Sequence, residues 1–220
     1  MSYRLVVMDV DSTLIQDEVI ELLADFAGTR QQVAAVTESA MRGEIDFEES
    51  LRARVATLAG LQVSVLGEVF EQVKLSVGAR ELISAVHAAG GRVGAVSGGF
   101  NQVLAPLASM LNLDYYRANE LEVQDGKLTG GLVGKIIDRK AKAEALLEWA
   151  SDFGEDPNWT AAIGDGANDL PMLNLAGLGI AFHAKPTVKE NAATSISSLG
   201  LDGVLYLLGY HDRHIDMMEE

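Results

Sequence analysis

The chain has 220 residues, a formal net charge of -15 and no cysteine. That length allows one sizeable core with a small inserted domain, and the absence of cysteine excludes disulfides, thiolate metal sites and cysteine nucleophiles. The negative charge argues against nucleic acids and anionic membranes as partners, and no apolar run reaches the roughly 20 residues that cross a bilayer. We therefore predict a cytoplasmic protein that is a monomer or a homodimer.

The first predicted element is a buried strand, Leu5–Met8, that ends at a pair of acids. Asp9 and Asp11 follow the apolar run directly and are separated by one residue. In open α/β sheets, ligands bind beyond the carboxyl ends of the strands. Two carboxylates held at such a position repel each other unless a cation or a shared proton compensates them. The pair therefore predicts Mg²⁺ binding, acid–base chemistry or both.

A helical insertion is predicted after the first strand. Apolar residues recur at helical spacing in the segment that starts near Asp17, and Gly28 is placed to end that helix. A second helix is predicted to start at Asp46, whose side chain would cap it, with Glu49 three residues later. Because no strand pattern interrupts this stretch, we predict that residues 14–76 form a helical cap over the edge of the sheet.

Beyond residue 76 strand and helix patterns alternate, which is typical of a parallel sheet covered by helices. The pair Asp125-Gly126 follows a segment in which apolar residues alternate with polar ones, and it predicts a hairpin turn. Strands are predicted over 92–96, 160–163 and, as the last one, 179–182, and helices over 79–89 and 140–150. The predicted fold is α/β, with a doubly wound, mainly parallel Rossmann-like sheet. Its core would comprise residues 1–13 and 77–210, and residues 211–220 would form an acidic tail.

Three of the predicted strands end in polar residues that fit phosphoryl transfer. Asp9 would be the nucleophile that forms an aspartyl phosphate, and Asp11 would protonate the leaving group and later activate water. The carboxylates of Asp9 and Asp165 with the carbonyl of Asp11 would bind Mg²⁺. Asp169 would ligate the ion or hold its ligands in place. The remaining phosphate oxygens would be held by Ser97, the Gly98 amide and Lys142.

These residues occur in four segments that resemble the motifs of haloacid dehalogenase-superfamily phosphatases. The segments are 9–13, 97–99, Lys142 and 164–169, and they follow one another in the order of that superfamily. Segments 47–55 and 96–100, together with Asp17-Glu18, narrow the resemblance to the phosphoserine phosphatase family. The resemblance extends from Leu5 to Lys189, which is nearly the whole chain.

The resemblance implies Mg²⁺-dependent hydrolysis of O-phospho-L-serine to L-serine and phosphate through an aspartyl phosphate, the last step of L-serine biosynthesis. It also implies that Glu18 receives the substrate ammonium, that Arg54 receives its carboxylate and that Asn168 contacts the substrate. Helical periodicity separately supports an inward-facing position of Arg54. At about 100° per residue Arg54 lies on the same stripe as Phe47, whereas Arg52 falls on the solvated side. A cation that faces inward requires an anionic partner.

Other functions are compatible with the same chemistry. A phosphotransferase that passes the phosphoryl group from phosphoserine to an alcohol such as homoserine, or a phosphatase of another small phosphate, would use Asp9 in the same way. The combination of Glu18 and Arg54 favours an amino-acid substrate. A receiver-type phospho-switch also combines paired acids, a hydroxyl residue and a lysine around Mg²⁺. The predicted cap of about 60 residues argues against a receiver, because it exceeds ordinary loops several-fold.

Overall fold

The computed structural model describes residues 3–210, so the predicted acidic tail at 211–220 lies outside the described residues. The described part of the chain forms a seven-stranded sheet. Its strands are β1 (Leu5–Met8), β2 (Arg92–Phe100), β3 (Tyr115–Gln124), β4 (Lys127–Val133), β5 (Thr160–Gly164), β6 (Leu178–Phe182) and β7 (Thr194–Ile196). Their order across the sheet is β4-β3-β2-β1-β5-β6-β7. Neighbouring strands are parallel except for β3 and β4, which confirms the predicted fold class.

The strand β1 lies in the middle of the sheet, between β2 and β5. Its four residues are all buried, because both faces of the sheet are covered. Alternate residues point to opposite faces of a strand. Accordingly, Val6 and Met8 belong to one apolar cluster, and Leu5 and Val7 belong to the other. The carboxyl end of β1, where Asp9 follows, therefore emerges at the centre of the sheet edge.

Ten α-helices are described in residues 3–210. They are α1 (Val19–Ala27), α2 (Arg30–Met41), α3 (Phe47–Ala56), α4 (Val65–Gln72), α5 (Ala79–Ala88), α6 (Asn101–Leu111), α7 (Arg139–Phe153), α8 (Leu170–Leu175), α9 (Pro186–Lys189) and α10 (Val204–Leu207). Helices α5, α6 and α10 contribute to the apolar cluster on one face of the sheet, and α7, α8 and α9 contribute to that on the other. Within the described range, none of these helices combines the length and apolar composition needed to cross a membrane.

The cap helices α1 to α4 lie between β1 and α5 in the chain, and two of their ends agree with the sequence prediction. Gly28 follows α1 in the left-handed conformation, with a φ of 69°. The side chain of Asp46 accepts a hydrogen bond from the Glu49 amide at 2.8 Å, and so caps α3. The structure also separates α2 and α4, which the sequence interpretation had not distinguished from the surrounding helical pattern.

The connection between α3 and α4 is hydrogen-bonded to the hairpin formed by β3 and β4. The Gly60 amide donates to the Leu128 carbonyl and the Leu128 amide donates to the Leu61 carbonyl, both at 2.8 Å. The Val63 amide donates to the carbonyl of Gly126 at 2.9 Å. The cap is thus held over the carboxyl edge of the sheet by the hairpin as well as by its own two chain connections.

The hairpin turn itself was predicted correctly. Asp125 and Gly126 have φ values of 51° and 75°. Positive φ at both central residues is the backbone geometry of the tight turn that the sequence pair Asp-Gly favours. The turn places β4 antiparallel to β3 as an outermost strand of the sheet. The hairpin contacts the cap there.

Two strand predictions were wrong in extent. The strand β2 continues through Ser97 to Phe100, whose backbone is still paired with that of Asn119 in β3. The last strand is not β6, because β7 adds three residues parallel to it. A three-residue strand with the sequence Thr-Ser-Ile is too short to show a strand pattern in sequence.

Candidate active site

A cleft of about 830 Å³ lies between the carboxyl edge of the sheet and the cap. Of the ten residues that the sequence analysis assigned to the site, eight line this cleft: Asp9, Asp11, Glu18, Arg54, Gly98, Lys142, Asp165 and Asn168. The other two, Ser97 and Asp169, are buried and hydrogen-bonded to residues of the wall. The fold therefore brings the end of β1, the end of β2, the loop after β5, the start of α7 and the cap to one place.

Lys142 lies between two carboxylates at the floor of the cleft. Its Nζ donates to Asp9 Oδ1 at 2.6 Å and to Asp169 Oδ1 at 2.7 Å. Lys142 and Asp169 are each 0% exposed and Asp9 is 6% exposed. Burial lowers the pKa of Lys142, but the charges of Asp169 and Asp9 outweigh burial and raise that pKa above its usual value. The lysine therefore remains an ammonium ion that holds the Asp9 carboxylate in place.

The start of α7 determines the position of Lys142. The side chain of Asp138 accepts a hydrogen bond from the Ala141 amide at 2.8 Å, which fixes the first turn of the helix. Lys142 lies in that turn and extends to the end of β1. Burial and the charge of Asp169 raise the pKa of Asp9, while the Lys142 ammonium opposes the rise.

The carboxylate of Asp11 is held by two donors other than Lys142. Its Oδ1 accepts from the Val19 amide at 2.9 Å, and its Oδ2 accepts from the Ser97 hydroxyl at 3.1 Å. The Ser97 hydroxyl in turn accepts from the Gly99 amide at 2.7 Å. Burial raises the pKa of Asp11, and the bonds from Val19 and Ser97 oppose that rise. The two acids, which are only two positions apart in sequence, thus occupy different environments.

The tight turn that follows Asp9 makes this separation possible. Ser12 has a φ of 57°, a left-handed conformation that is uncommon for a residue other than glycine. Its hydroxyl donates to Glu18 Oε1 at 2.7 Å, which links the turn to the start of the cap. The Thr13 hydroxyl donates to Asp165 Oδ1 at 3.3 Å. The turn therefore connects the core side of the site with its cap side.

The loop after β5 is folded tightly around Asp169. The Gly166 amide donates to Asp169 Oδ2 at 3.0 Å. At Gly164, a Cβ atom would lie 2.5 Å from the Asp169 carboxyl carbon, so no larger residue fits there without displacement. Burial and the charge of Asp169 raise the pKa of Asp165 to about 6. The loop thus holds two acids beside the end of β1.

These acids form a cluster that suits a hard divalent cation. One carboxylate oxygen from each of Asp9, Asp165 and Asp169 lies within 4.8 Å of the others. Lys142 brings one positive charge against three carboxylates, so the ionised cluster has an excess of negative charge. Oxygen donors of this kind are the ligands that Mg²⁺ prefers. The carboxylate of Asp11 is occupied elsewhere, which leaves its carbonyl for the predicted metal contact.

Glu18 lies on the cap side of the cleft, directly before α1. Its carboxylate is open to the cleft, and its described hydrogen bond is the one from Ser12. Partial burial and the charge of Asp11 raise the pKa of Glu18 to about 7, and the bond from Ser12 opposes the rise. A cationic group bound in the cleft would therefore stabilise the ionised form of Glu18.

Arg54 also lies on the cap side, on α3. Its Nε donates to the Ser50 carbonyl at 3.2 Å. No other hydrogen bond of the Arg54 guanidinium is described within residues 3–210, and the residue lines the cleft. By contrast, Arg52 points to solvent and pairs with Glu48 at 2.7 Å. The structure therefore places these two arginines on opposite sides of α3, as the helical periodicity predicted.

Asn119 is a buried residue of the site region that sequence reasoning missed. Its Nδ2 donates to the Gly98 carbonyl and its Oδ1 accepts from the Ile137 amide, both at 2.8 Å. It thereby fixes the end of β2 and the chain that leads into α7. On the other side of Gly98, a Cβ atom would lie 3.1 Å from Phe47 Cζ, so this glycine allows the cap to approach closely. The sequence around Asn119 carried no motif that could have identified it.

The fold and the site together define a doubly wound α/β protein with acids and a buried lysine under a helical cap. The family model of the haloacid dehalogenase-like hydrolases matches residues 6–174. The chain belongs to this family, which confirms the resemblance of its four motifs.

Individual relatives extend the comparison over nearly the whole chain. Phosphoserine phosphatase SerB2 of Mycobacterium tuberculosis is 57% identical over 206 residues, which cover 94% of this chain and 50% of that protein. The phosphoserine phosphatase of Streptococcus thermophilus is 48% identical over 204 residues, which cover 93% of this chain and 95% of that protein. The chain thus spans about half the length of the Mycobacterium relative and nearly all of the Streptococcus relative.

A solved structure gives the same result for the fold. It is a phospho-aspartyl intermediate analogue of phosphoserine phosphatase, and it matches this chain with a TM-score of 0.88 and 39% identity. The match covers 94% of this chain and 100% of that one. The similarity therefore includes the cap as well as the sheet.

Proposed function

We propose that the chain is a phosphoric monoester hydrolase that converts O-phospho-L-serine to L-serine and phosphate with Mg²⁺, as the last step of L-serine biosynthesis. The observation that carries this proposal is that one cleft contains both a phosphate side and an amino-acid side. Asp9, Asp11 and Lys142 lie on its core wall, and Glu18 and Arg54 lie on its cap wall. The similarity to phosphoserine phosphatases over more than nine-tenths of the chain supports the same substrate.

The proposed reaction starts at Asp9. A carboxylate oxygen of Asp9 attacks phosphorus, the bond between phosphorus and the serine oxygen breaks, and an aspartyl phosphate forms. Lys142 holds Asp9 in place and balances part of the charge on the phosphate oxygens. The Gly98 amide would hold a remaining phosphate oxygen. The Ser97 hydroxyl, which donates to Asp11 in the structure, would have to turn towards the phosphate to take the role predicted for it. A solved relative that carries an analogue of a phospho-aspartyl intermediate supports this step.

Asp11 would transfer the protons. It gives a proton to the serine oxygen as that oxygen leaves, and it then takes a proton from the water that attacks the aspartyl phosphate. Its contacts suit this role, because Val19 and Ser97 fix the carboxyl group and burial raises its pKa above the ordinary value of an aspartate. The second step releases phosphate and regenerates the Asp9 carboxylate.

Mg²⁺ would be held by the carboxylates of Asp9 and Asp165 and the carbonyl of Asp11, with Asp169 as a further ligand or as a residue that positions the others. When bound, the ion compensates the acids and withdraws negative charge from the phosphate. The net negative charge of the three-carboxylate cluster supports this assignment.

The cap wall would recognise the amino-acid end of the substrate. Arg54 presents two NH₂ groups, which match the two oxygens of a carboxylate. Glu18 would bind the ammonium group, whose charge would stabilise the ionised carboxylate. Asn168 lies on the cleft wall beside the acidic loop and would contact the bound substrate.

A phosphate-release assay on a small panel of esters tests the proposal. With Mg²⁺, kcat/KM for O-phospho-L-serine should exceed that for phosphoethanolamine and glycerol phosphate by roughly 100-fold, because those esters leave Arg54 without its partner. A chelator should abolish turnover. Equal rates on all three esters would contradict the amino-acid assignment, and the absence of phosphate release from any of them would contradict the hydrolase itself.

The same assay separates the alternatives. With homoserine present, a phosphotransferase would form phosphohomoserine at the expense of free phosphate, whereas the proposed hydrolase releases phosphate at an unchanged rate. A receiver-type switch would release no more than about one phosphate per chain. The cytoplasmic location and the choice between monomer and homodimer stay predictions from the sequence.

A further inference from the structure

The cleft that would receive a phosphate ester is rich in acids. Among the described residues that line it, seven are Asp or Glu and three are Arg or Lys. The whole chain has a net charge of -15. An incoming phosphate dianion is therefore repelled by the protein unless a cation lies on its path into the cleft.

The three cations of the cleft differ in how far they are committed to other groups. Lys142 is buried and bonded to Asp9 and Asp169. Arg54 lies on the cap wall. Burial lowers its pKa, and the negative charges of Glu18 and Asp11 oppose that change. The Arg139 side chain is exposed, and no hydrogen bond or ion pair of its guanidinium is described within residues 3–210. Of these three cations, Arg139 is the one that is exposed to solvent, where an arriving ligand first meets the protein.

The position of Arg139 relative to Lys142 suits a first contact with phosphate. Arg139 is the first residue of α7 and Lys142 is the fourth, so the two side chains lie on the same side of the helix, about 4.5 Å apart along its axis. Lys142 is 0% exposed whereas Arg139 is exposed at the cleft. Along α7, Arg139 therefore lies about one turn before Lys142 and nearer to solvent, whereas Lys142 lies at the floor of the cleft.

Building on the phosphatase function proposed above, we propose that Arg139 captures the phosphate group of the incoming substrate at the mouth of the cleft and guides it towards Lys142. A guanidinium can contact two phosphate oxygens at once, which suits this role. Arg139 acts on the encounter and not on bond breaking, because Lys142 and the acidic cluster already occupy the reacting centre. Its contribution should therefore appear in KM and in the dependence on salt.

Lys140 provides a matched control on the same helix. It follows Arg139 in the chain, and its side chain is 80% exposed. Its Nζ forms an ion pair with Glu144 Oε1 at 3.6 Å. It is not among the described residues that line the cleft. The variants Arg139→Gln and Lys140→Gln remove the same charge from neighbouring positions, so any difference between them reports the location of the charge and not the net charge of the protein.

Steady-state kinetics on O-phospho-L-serine at low and high salt give the first test. For Arg139→Gln we expect KM to rise about three- to tenfold at low ionic strength while kcat changes less than about twofold. At about 0.5 M salt the difference from the unsubstituted chain should largely disappear, because salt then screens the attraction between Arg139 and the phosphate to a short range. Arg139→Lys should recover most of the effect. Equal KM values for Arg139→Gln and Lys140→Gln at low salt would overturn the inference.

Binding of inorganic phosphate, measured by titration calorimetry with Mg²⁺, gives a second test that needs no turnover. Arg139→Gln should weaken phosphate binding relative to Lys140→Gln and leave binding of L-serine unchanged. Equal phosphate affinities of the two variants would overturn the role of Arg139, whatever the enzyme hydrolyses. If instead phosphate binding differs as expected but the unsubstituted chain does not hydrolyse phosphoserine, the proposed function fails and the phosphate contact stands.

Discussion

The two walls of the cleft are built differently. On the core wall, Asp9, Lys142 and Asp169 are buried and joined by hydrogen bonds of 2.6 and 2.7 Å. On the cap wall, Glu18 and Arg54 are more open, and each side chain has one described hydrogen bond: the Glu18 carboxylate accepts from the Ser12 hydroxyl, and the Arg54 guanidinium donates to the Ser50 carbonyl. The core wall fixes its groups before substrate arrives, whereas the cap wall keeps its polar groups available to the substrate.

This difference matches what the two halves of the proposed reaction need. Charge that develops at phosphorus is stabilised best by groups that are already in position and need no rearrangement. Recognition of an amino-acid end needs groups that are unpaired until the right ligand binds, because a wrong ligand then leaves them without partners. We therefore expect substitutions on the core wall to lower kcat and substitutions on the cap wall to raise KM.

The largest effect should come from the core wall, at Lys142. In Lys142→Met, kcat should fall on the order of 10³-fold, because the group that positions Asp9 and balances the phosphate is lost. The free energy of unfolding at pH 7 without Mg²⁺ should fall by about 3 kcal/mol, since two buried carboxylates then lack their cation. Phosphate release and chemical denaturation measure the two quantities. Lys140→Met, exposed on the same helix, should change neither, and a similar loss there would contradict the comparison.

A smaller effect, in KM, is expected on the cap wall at Arg54. In Arg54→Gln, KM for O-phospho-L-serine should rise roughly 10- to 100-fold with little change in kcat, because the hydrogen bonds to the substrate carboxylate are lost. KM for phosphoethanolamine, which has no carboxylate, should be nearly unaffected. Arg52→Gln is the matched control, because Arg52 lies on the solvent side of α3 and pairs with Glu48. Equal losses on both substrates would remove the distinction between the walls.

The smallest expected effect is a pH dependence that originates at Glu18. The pKa of Glu18 is raised to about 7, so its carboxylate is ionised above that pH and neutral below it. Because the ionised form attracts the substrate ammonium, KM for phosphoserine should rise about three- to tenfold as pH falls from 8 to 6. The substrate phosphate also titrates near 6, and its contribution remains in Glu18→Gln. Subtracting the profile of that variant isolates Glu18, and two parallel profiles would contradict the assignment.

The parts of the molecule that were predicted correctly from sequence depend on local patterns. The strand β1 could be identified because four consecutive apolar residues end at Asp9, and the ends of α1 and α3 because Gly28 and Asp46 have conformational preferences of their own. The orientation of Arg54 followed from helical spacing. The fold class and the family were confirmed, whereas the exact division into core and cap stays a prediction.

The parts that were missed depend on contacts between distant segments. Asn119 supports Gly98 and Ile137, which are 21 and 18 residues away in sequence. The strand β7 exists because β6 provides an edge to pair with, and its three residues show no pattern by themselves. The hydrogen bonds between Gly60 and Leu128, which join the cap to the hairpin, have the same origin. A single sequence contains no local signal for such contacts.

The most direct test of the central claim is to find the residue that carries phosphate during turnover. The chain is mixed with O-phospho-L-serine and Mg²⁺, quenched in acid within the first turnover, digested and examined by mass spectrometry. The account predicts one phosphoryl group on Asp9, and neither this label nor turnover in Asp9→Asn. A phosphoryl group on any other residue, or steady phosphate release by Asp9→Asn, would contradict it.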